Sequence, residues 1–251
     1  MFYDGIGVER MANVAIITAR GGSKRIPKKN IKDFCGRPII AYSIEAALKS
    51  ELFDEVMVST DSEEIAAVTK KYGAAVPFMR SKTTSDDYAA TADVLREVLD
   101  CYEENGCTFE TMCCIYPTAP FVTGQKLIAA HTAFAASGVE MLEPVVPFSY
   151  PPQRSFSLQD GALVYNWPEY VRTRSQDLET WYHDAGQFYF YRVAAFRRSM
   201  EESGKQGGYS LHCVPFILDE MEVQDIDQPT DWLLAEAKYR LLVELGRIPS
   251  M

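Results

Sequence analysis

Histidine is scarce in this chain, and the three present, His131, His183 and His212, share no metal-ligand spacing. The six cysteines, Cys35, Cys101, Cys107, Cys113, Cys114 and Cys213, form no CxxC pair. Adjacent Cys113 and Cys114 sit in an apolar run and read as core thiols. No apolar run is long enough to span a bilayer, and the N-terminus has no signal-peptide pattern. Without a secretion signal the thiols are expected reduced and the protein cytoplasmic. Positive charge is also in short supply: a formal net charge of -10 argues against nucleic-acid or anionic-membrane partners. Ser23 has no visible base, so a hydrolase triad is unsupported. Internal repeats and low-complexity segments are absent.

Against that acidic background one stretch is dense in cations. Arg20-Gly21-Gly22-Ser23-Lys24-Arg25-Ile26-Pro27-Lys28-Lys29-Asn30 follows the apolar run Val14-Ala15-Ile16-Ile17, which reads as a buried strand. Paired glycines let backbone N–H groups approach a ligand closely, and Lys and Arg supply charge for phosphate. A strand leading into such a loop points to a phosphate cradle. The glycine spacing fits neither a Walker A loop nor a dinucleotide fingerprint. The plainer alternative is a solvated basic loop.

The 251 residues suit one large or two small domains. Met1 to Arg10 has no periodicity and reads as an extension. Pro38 is expected at N1 of a helix through Ile39, Ile40, Ile44, Ala47 and Leu48. Val56-Met57-Val58 reads as a strand, with Asp61 and Glu64 as a cap pair for the next helix and Gly73 as its stop. Val76 to Met79 is extended, Thr91 to Tyr102 helical, Met112 to Ile115 a central strand. A helix follows from Gln125 to Ala136, and Val139 to Val146 is extended. This alternation indicates α/β architecture with a mainly parallel sheet. The rhythm breaks between Pro147 and His183, a stretch rich in proline, aromatics and arginine. It reads as an inserted subdomain, β-rich and a candidate oligomer contact, dividing a domain of 11–146 and 184–251 from an insert of 147–183. Regular structure resumes at Gln187 to Tyr191, then a helix from Ala194 to Glu202, a strand from Leu211 to Leu218 and a last helix from Pro229 to Leu245.

Asp225-Ile226-Asp227 precedes that helix. Alternating carboxylates on an extended segment can project toward one site, as a hard divalent cation requires. The competing reading is helix capping by Asp227. Together with the basic loop, the pair fits a metal-bound triphosphate better than either feature alone. Ser59-Thr60-Asp61 and Tyr116-Pro117-Thr118-Ala119-Pro120-Phe121 follow strands, where open α/β sheets bind ligands.

The order of Ala19 to Asn30, Ser59-Thr60-Asp61 and Asp225-Ile226-Asp227 resembles the CMP-sialic acid synthetases, cytidylyltransferases that activate acidic nine-carbon sugars. The similarity runs from Val14 to Leu245. Within the family it is strongest to members using pseudaminic acid, through Tyr116 to Phe121, Arg174 to Leu178 and His183 to Tyr189. The resemblance implies a Rossmann-like nucleotidyltransferase with an inserted dimerisation subdomain, a homodimer, and CTP and a nonulosonic acid as substrates. It implies that Arg20, Gly21, Gly22, Ser23 and Lys24 hold the CTP phosphates, Lys29 and Asn30 complete the nucleotide end, and Arg80 and Thr91 line the cytidine site. Asp225 and Asp227 would bind Mg²⁺, with Arg20 and Lys24 also catalytic, and Tyr116, Asp184 and Gln187 would meet the sugar. Two departures stand out: Tyr116 where sialic acid enzymes have Gln, and His183-Asp184-Ala185-Gly186 in place of an Arg-Pro-Asn-Gly-like segment. Both argue against sialic acid itself, which remains the alternative substrate. A metal-dependent glycosyltransferase and a non-catalytic nucleotide-binding module are the rival readings.

Overall fold

A computed structural model describes residues 2–3, 9–202 and 211–249. Much of the opening stretch read as an extension, Met1 and residues 4–8, lies outside them. Strand β1 (Phe2–Tyr3) pairs with β2 (Glu9–Thr18), which starts earlier than the apolar run alone suggests. A tight ladder of β3 (Asp33–Phe34) and β4 (Arg37–Pro38) follows, then α1 (Ile40–Ser50), β5 (Glu55–Ser59) and α2 (Glu63–Lys71). Next come α3 (Thr91–Glu104), β6 (Cys107–Ile115), α4 (Gly124–Ser137) and β7 (Met141–Pro147). The insert carries the hairpin β8 (Phe156–Gln159) and β9 (Ala162–Tyr165), and closes with β10 (Tyr182–Asp184). Strand β11 (Phe188–Arg192), α5 (Val193–Glu202), β12 (Cys213–Ile217) and α6 (Pro229–Glu244) complete the chain.

Pro38 does not open α1. It belongs to β4, where a turn with Cys35 at φ 50° and Gly36 at φ 97° folds the chain back, and α1 begins at Ile40. Val76 to Met79 forms no strand; only Ala75 bridges to Met57.

The central sheet runs β5-β2-β6-β11-β7-β12, with β2 parallel to both β5 and β6 and β12 parallel to β7. Strand β11 is antiparallel to β6 and β7, so it is the reversed member of a mainly parallel set. Val14, Ala15, Ile16 and Ile17 are all fully buried, because helices cover both faces of β2. Ala15 and Ile17 pack in the cluster beneath α1 and α4, while Val14 and Ile16 pack with Leu95, Leu99 and Phe196 of α3 and α5.

Reversal of β11 has a direct consequence for the site. Phe188 lies opposite Ile115, the last residue of β6. The loop before β11 therefore reaches the same sheet edge as the loops after β2, β5 and β6. The insert leaves and returns at that edge too, since Tyr182 of β10 pairs with Pro147 of β7.

Candidate active site

The basic loop is shaped first by its backbone. Ala19 N donates to Ser59 O at 2.9 Å, and Asn30 Nδ2 donates to Arg20 O at 2.9 Å. Gly21 N donates to Asp61 Oδ1 at 2.7 Å, and a Cβ at Gly21 would stand 3.1 Å from Ser62 Cβ. Only glycine allows so close an approach without displacing Ser62. The expected cap role of Asp61 is thus corrected: Ser62 is the N-cap of α2, its Oγ accepting from Ile65 N, which leaves Asp61 to fix the loop.

The loop forms one wall of a cleft of about 320 Å³. Arg20, Ser23, Lys24, Arg25, Lys29 and Asn30 line that wall; Arg80, Thr84, Asp86, Asp87, Thr91, Tyr116, Thr118 and Asp227 line the rest. Gly21 and Gly22, expected at the phosphates, are exposed but are not among the lining residues. Arg80 is buried, donating from Nε to Ser59 Oγ at 3.0 Å and from Nη2 to Ser59 O at 2.6 Å. Burial pushes its guanidinium down to about 10, with Asp61 and Glu97 pulling the other way, so it stays charged at neutral pH.

The cations here hold carboxylates. Arg20 Nη1 meets Asp87 Oδ1 at 2.8 Å and the carbonyl of Asp86 at 3.0 Å, and Lys24 pairs with the other oxygen of Asp87. Hydrogen bonds from Lys24 and Arg20 hold the Asp87 carboxyl below its ordinary range. Arg25 Nη2 meets Asp227 Oδ2 at 2.9 Å, and Lys29 Nζ donates to the carbonyl of Ile226 at 2.6 Å. Arg25, Asp87 and Thr84 extend the set expected from the sequence.

Ile226 is buried among Phe34, Trp232 and other apolar side chains, which leaves the flanking carboxylates of Asp225 and Asp227 outside that core. Asp227 is not the cap of α6. Gln228 is the N-cap, and Asp231 at N3 reaches back, its Oδ2 accepting from Asp227 N at 3.0 Å and Gln228 N at 2.7 Å. Burial, and then the charge of Asp227, raises the Asp225 carboxyl above its ordinary value.

A second cavity of about 380 Å³ adjoins the first. Its lining includes Tyr116, His183, Asp184, Gly186, Glu220, Gln224, Asp225 and Lys238. Tyr116 lines both spaces, and the Asp225 to Asp227 segment gives one carboxylate to each. Lys238, on α6, has no sequence signal beyond helical periodicity; its Nζ donates to the carbonyls of Glu220 and Val223 at 3.2 and 2.8 Å.

Gln187 is the expectation that fails. It is buried and lines neither cavity, its Nε2 bonded to the carbonyl of Glu222, while its own carbonyl accepts from Tyr116 N at 2.8 Å. It braces the junction from behind instead of facing a ligand.

Comparison with known proteins is consistent with this arrangement. The family model described as cytidylyltransferase matches residues 14–205. A pseudaminic acid cytidylyltransferase from Campylobacter jejuni is 42% identical over 232 residues, 92% of this chain and 97% of the relative. A CMP-N,N'-diacetyllegionaminic acid synthase from Legionella pneumophila is 35% identical over 243 residues, again 92% of this chain and 97% of the relative. The solved structure of CMP:2-keto-3-deoxy-manno-octonic acid synthetase complexed with CTP superposes with a TM-score of 0.65 at 19% identity, covering 93% of this chain and 99% of that one. That likeness establishes a shared nucleotidyltransferase fold. With the family match running through the basic loop, the sheet and the loop before β11, the chain belongs to the cytidylyltransferase family.

Proposed function

We propose that this chain transfers CMP from CTP to pseudaminic acid, releasing pyrophosphate. The observation that carries this reading is the junction. A cation-lined cleft and a second cavity meet at Tyr116, with Asp227 on one side and Asp225 on the other. Such a pair of spaces suits two substrates that must react where they touch, and holding them there removes the entropy of a bimolecular encounter. The relative from Campylobacter jejuni supports pseudaminic acid as the sugar.

In this reading Arg20, Ser23, Lys24 and Lys29 face the triphosphate, and Arg80 and Thr91 border the cytidine. The anomeric hydroxyl attacks the α-phosphorus and gives up its proton to water, the bond from that phosphorus to the oxygen bridging to the β-phosphate breaks, and pyrophosphate leaves. Charge then grows on the leaving oxygens, where Arg20 and Lys24 would offset it. Asp225 and Asp227 fit a hard divalent cation, taken here as Mg²⁺. Burial first and the charge of Asp227 second raise Asp225, and a cation would relieve the repulsion between the two carboxylates. Among the described residues no third carboxylate, cysteine or histidine joins them in a group suited to metal, so phosphate oxygens and water would complete the set. When bound, Mg²⁺ would neutralise phosphate charge.

A homodimer belongs to the same reading. Phe156, Leu158, Leu163 and Tyr165 share one face of the β8–β9 ladder and are all exposed, an apolar surface that a second copy could cover. A cytoplasmic location is also proposed: none of the six cysteines forms a disulfide, and no helix among the described residues is long and apolar enough to cross a membrane.

Phosphorus NMR of CTP mixed with pseudaminic acid and enzyme tests the reaction. Pyrophosphate and a CMP-sugar phosphodiester signal are expected with Mg²⁺ present, and neither with a chelator in excess. Appearance of a nucleoside diphosphate would point to a glycosyltransferase, and binding of CTP without any product to a non-catalytic module.

A further inference from the structure

We propose that Tyr189 is a positioning residue that sets sugar specificity, by coupling Tyr116 at the junction to Asp184 in the second cavity. The proposal rests on reading that cavity as the sugar side. Tyr189 is buried on β11, and its hydroxyl approaches both carboxylate oxygens of Asp184, at 2.8 and 2.7 Å. Asp184 is further fixed by Gly186 N, which donates to its Oδ1 at 2.8 Å and sits at φ 62°. The rings of Tyr189 and Tyr116 lie 5.5 Å apart with a tilt of 60°. The Tyr116 hydroxyl lies beside those of Tyr189 and Thr91, and Thr91 borders the first cleft.

The carboxylate end gives this row of groups a direction. An ionised Asp can only accept, so Tyr189 must give it its single proton. The Tyr189 oxygen then has only lone pairs left to offer the neighbouring Tyr116 hydroxyl. Both phenols stay protonated at working pH, since burial raises each above its ordinary value. Asp184, with its orientation locked, keeps lone pairs free toward the second cavity. A sugar bound there must present donors, hydroxyl or acylamino N–H, at matching positions. Asp184 is exposed before binding, so isomers with those donors turned away would cover its free lone pairs and shed their water without replacing it, the situation in which polar sites discriminate most sharply.

The test is a cycle of Tyr189→Phe, Asp184→Asn and the double variant, each assayed for the Michaelis constants of both substrates and for competitive use of pseudaminic against N-acetylneuraminic acid. Tyr189→Phe keeps the ring and its packing while removing the proton. It should raise the sugar KM about tenfold and cut the preference between the sugars by a similar factor, with the CTP KM within about twofold of wild type. Asp184→Asn still accepts from Tyr189 but can present N–H where the carboxylate presented lone pairs, and should lose preference likewise. The double variant should be no worse than the poorer single one, because the two act as one unit. Additive losses, or unchanged preference in Tyr189→Phe, would overturn the coupling alone. Equal loss for both substrates together with a lower melting temperature would reduce Tyr189 to a structural residue. A wild-type protein that makes no product from CTP and any sugar acid would overturn the functional reading and the coupling with it.

Discussion

Asp87 holds the two cations that a triphosphate would need. If Arg20 and Lys24 serve the phosphates, CTP must displace this carboxylate, and the two positions should respond in opposite directions. Lys24→Ala should lower kcat/KM by an amount equivalent to about 2–4 kcal/mol of transition-state stabilisation. Asp87→Asn should lower the CTP KM by about twofold to threefold, a small effect because the pairs are exposed. Steady-state kinetics on both variants checks this; a raised CTP KM in Asp87→Asn would make that carboxylate part of the site, not its competitor. The sign with pH follows from the depressed Asp87 carboxyl. Its pairing is fully present above the ordinary carboxylate value and is lost only as pH falls through the lowered one. The effect of Asp87→Asn should therefore be constant from neutral to mildly acid pH. Arg20, Lys24 and Asp227 are legible in the sequence because glycines and cations crowd a short stretch and the acids alternate. Asp87 and Lys238 are not, since an acid in a polar loop and a lysine on an amphipathic helix look like solvated charge until the chain is folded. Tyr116 and Asp184, the two departures from the sialic acid pattern, are legible singly. That Tyr189 joins them depends on the reversed direction of β11.

At the scale of elements, the position of Asp225 and Asp227 depends on how α6 docks. Phe34, fully buried on β3, makes edge contacts with Tyr42, Trp232 and Tyr239 at ring separations of 5.5, 5.6 and 5.5 Å. Tyr42 also donates to the carbonyl of Phe34 at 2.7 Å. One small ladder after the basic loop thus anchors the helix that follows the acidic segment, tying the loop and that segment to a common support. Phe34→Ala should cost about 3–5 kcal/mol of stability. Denaturant unfolding measures it, and a loss below about 1 kcal/mol would mean the cluster repacks without the ring. Most helices and strands are legible from periodicity, because β2 and β6 are buried on both faces and the helices carry clear apolar stripes. Pro38 misleads because a proline suits a helix start and an edge of a two-residue ladder equally well, and only the Cys35–Gly36 turn decides. The β8–β9 hairpin has a local signal in Asp160-Gly161, both at positive φ, in the two-residue turn joining Gln159 to Ala162.

On the scale of the whole molecule, the two cavities draw their lining from one sheet edge, from the loops after β2, β5 and β6 and the loop before β11, together with the Asp225 to Asp227 segment before α6. In the proposed homodimer the apolar face of the β8–β9 hairpin is where a second copy would sit. Leu158 and Leu163 lie directly opposite each other there, 73% and 68% exposed. Light scattering should give twice the chain mass for the wild type and the single mass for Leu158→Lys combined with Leu163→Lys. A monomeric wild type, or a dimer that survives both lysines, would remove this face as the contact. Which sugar the junction accepts is measured most directly by competition. With pseudaminic and N-acetylneuraminic acids at equal concentration, excess CTP and Mg²⁺, pseudaminic acid should be consumed first and N-acetylneuraminic acid left nearly untouched. Preferential consumption of N-acetylneuraminic acid would contradict the account while leaving the cytidylyltransferase family in place.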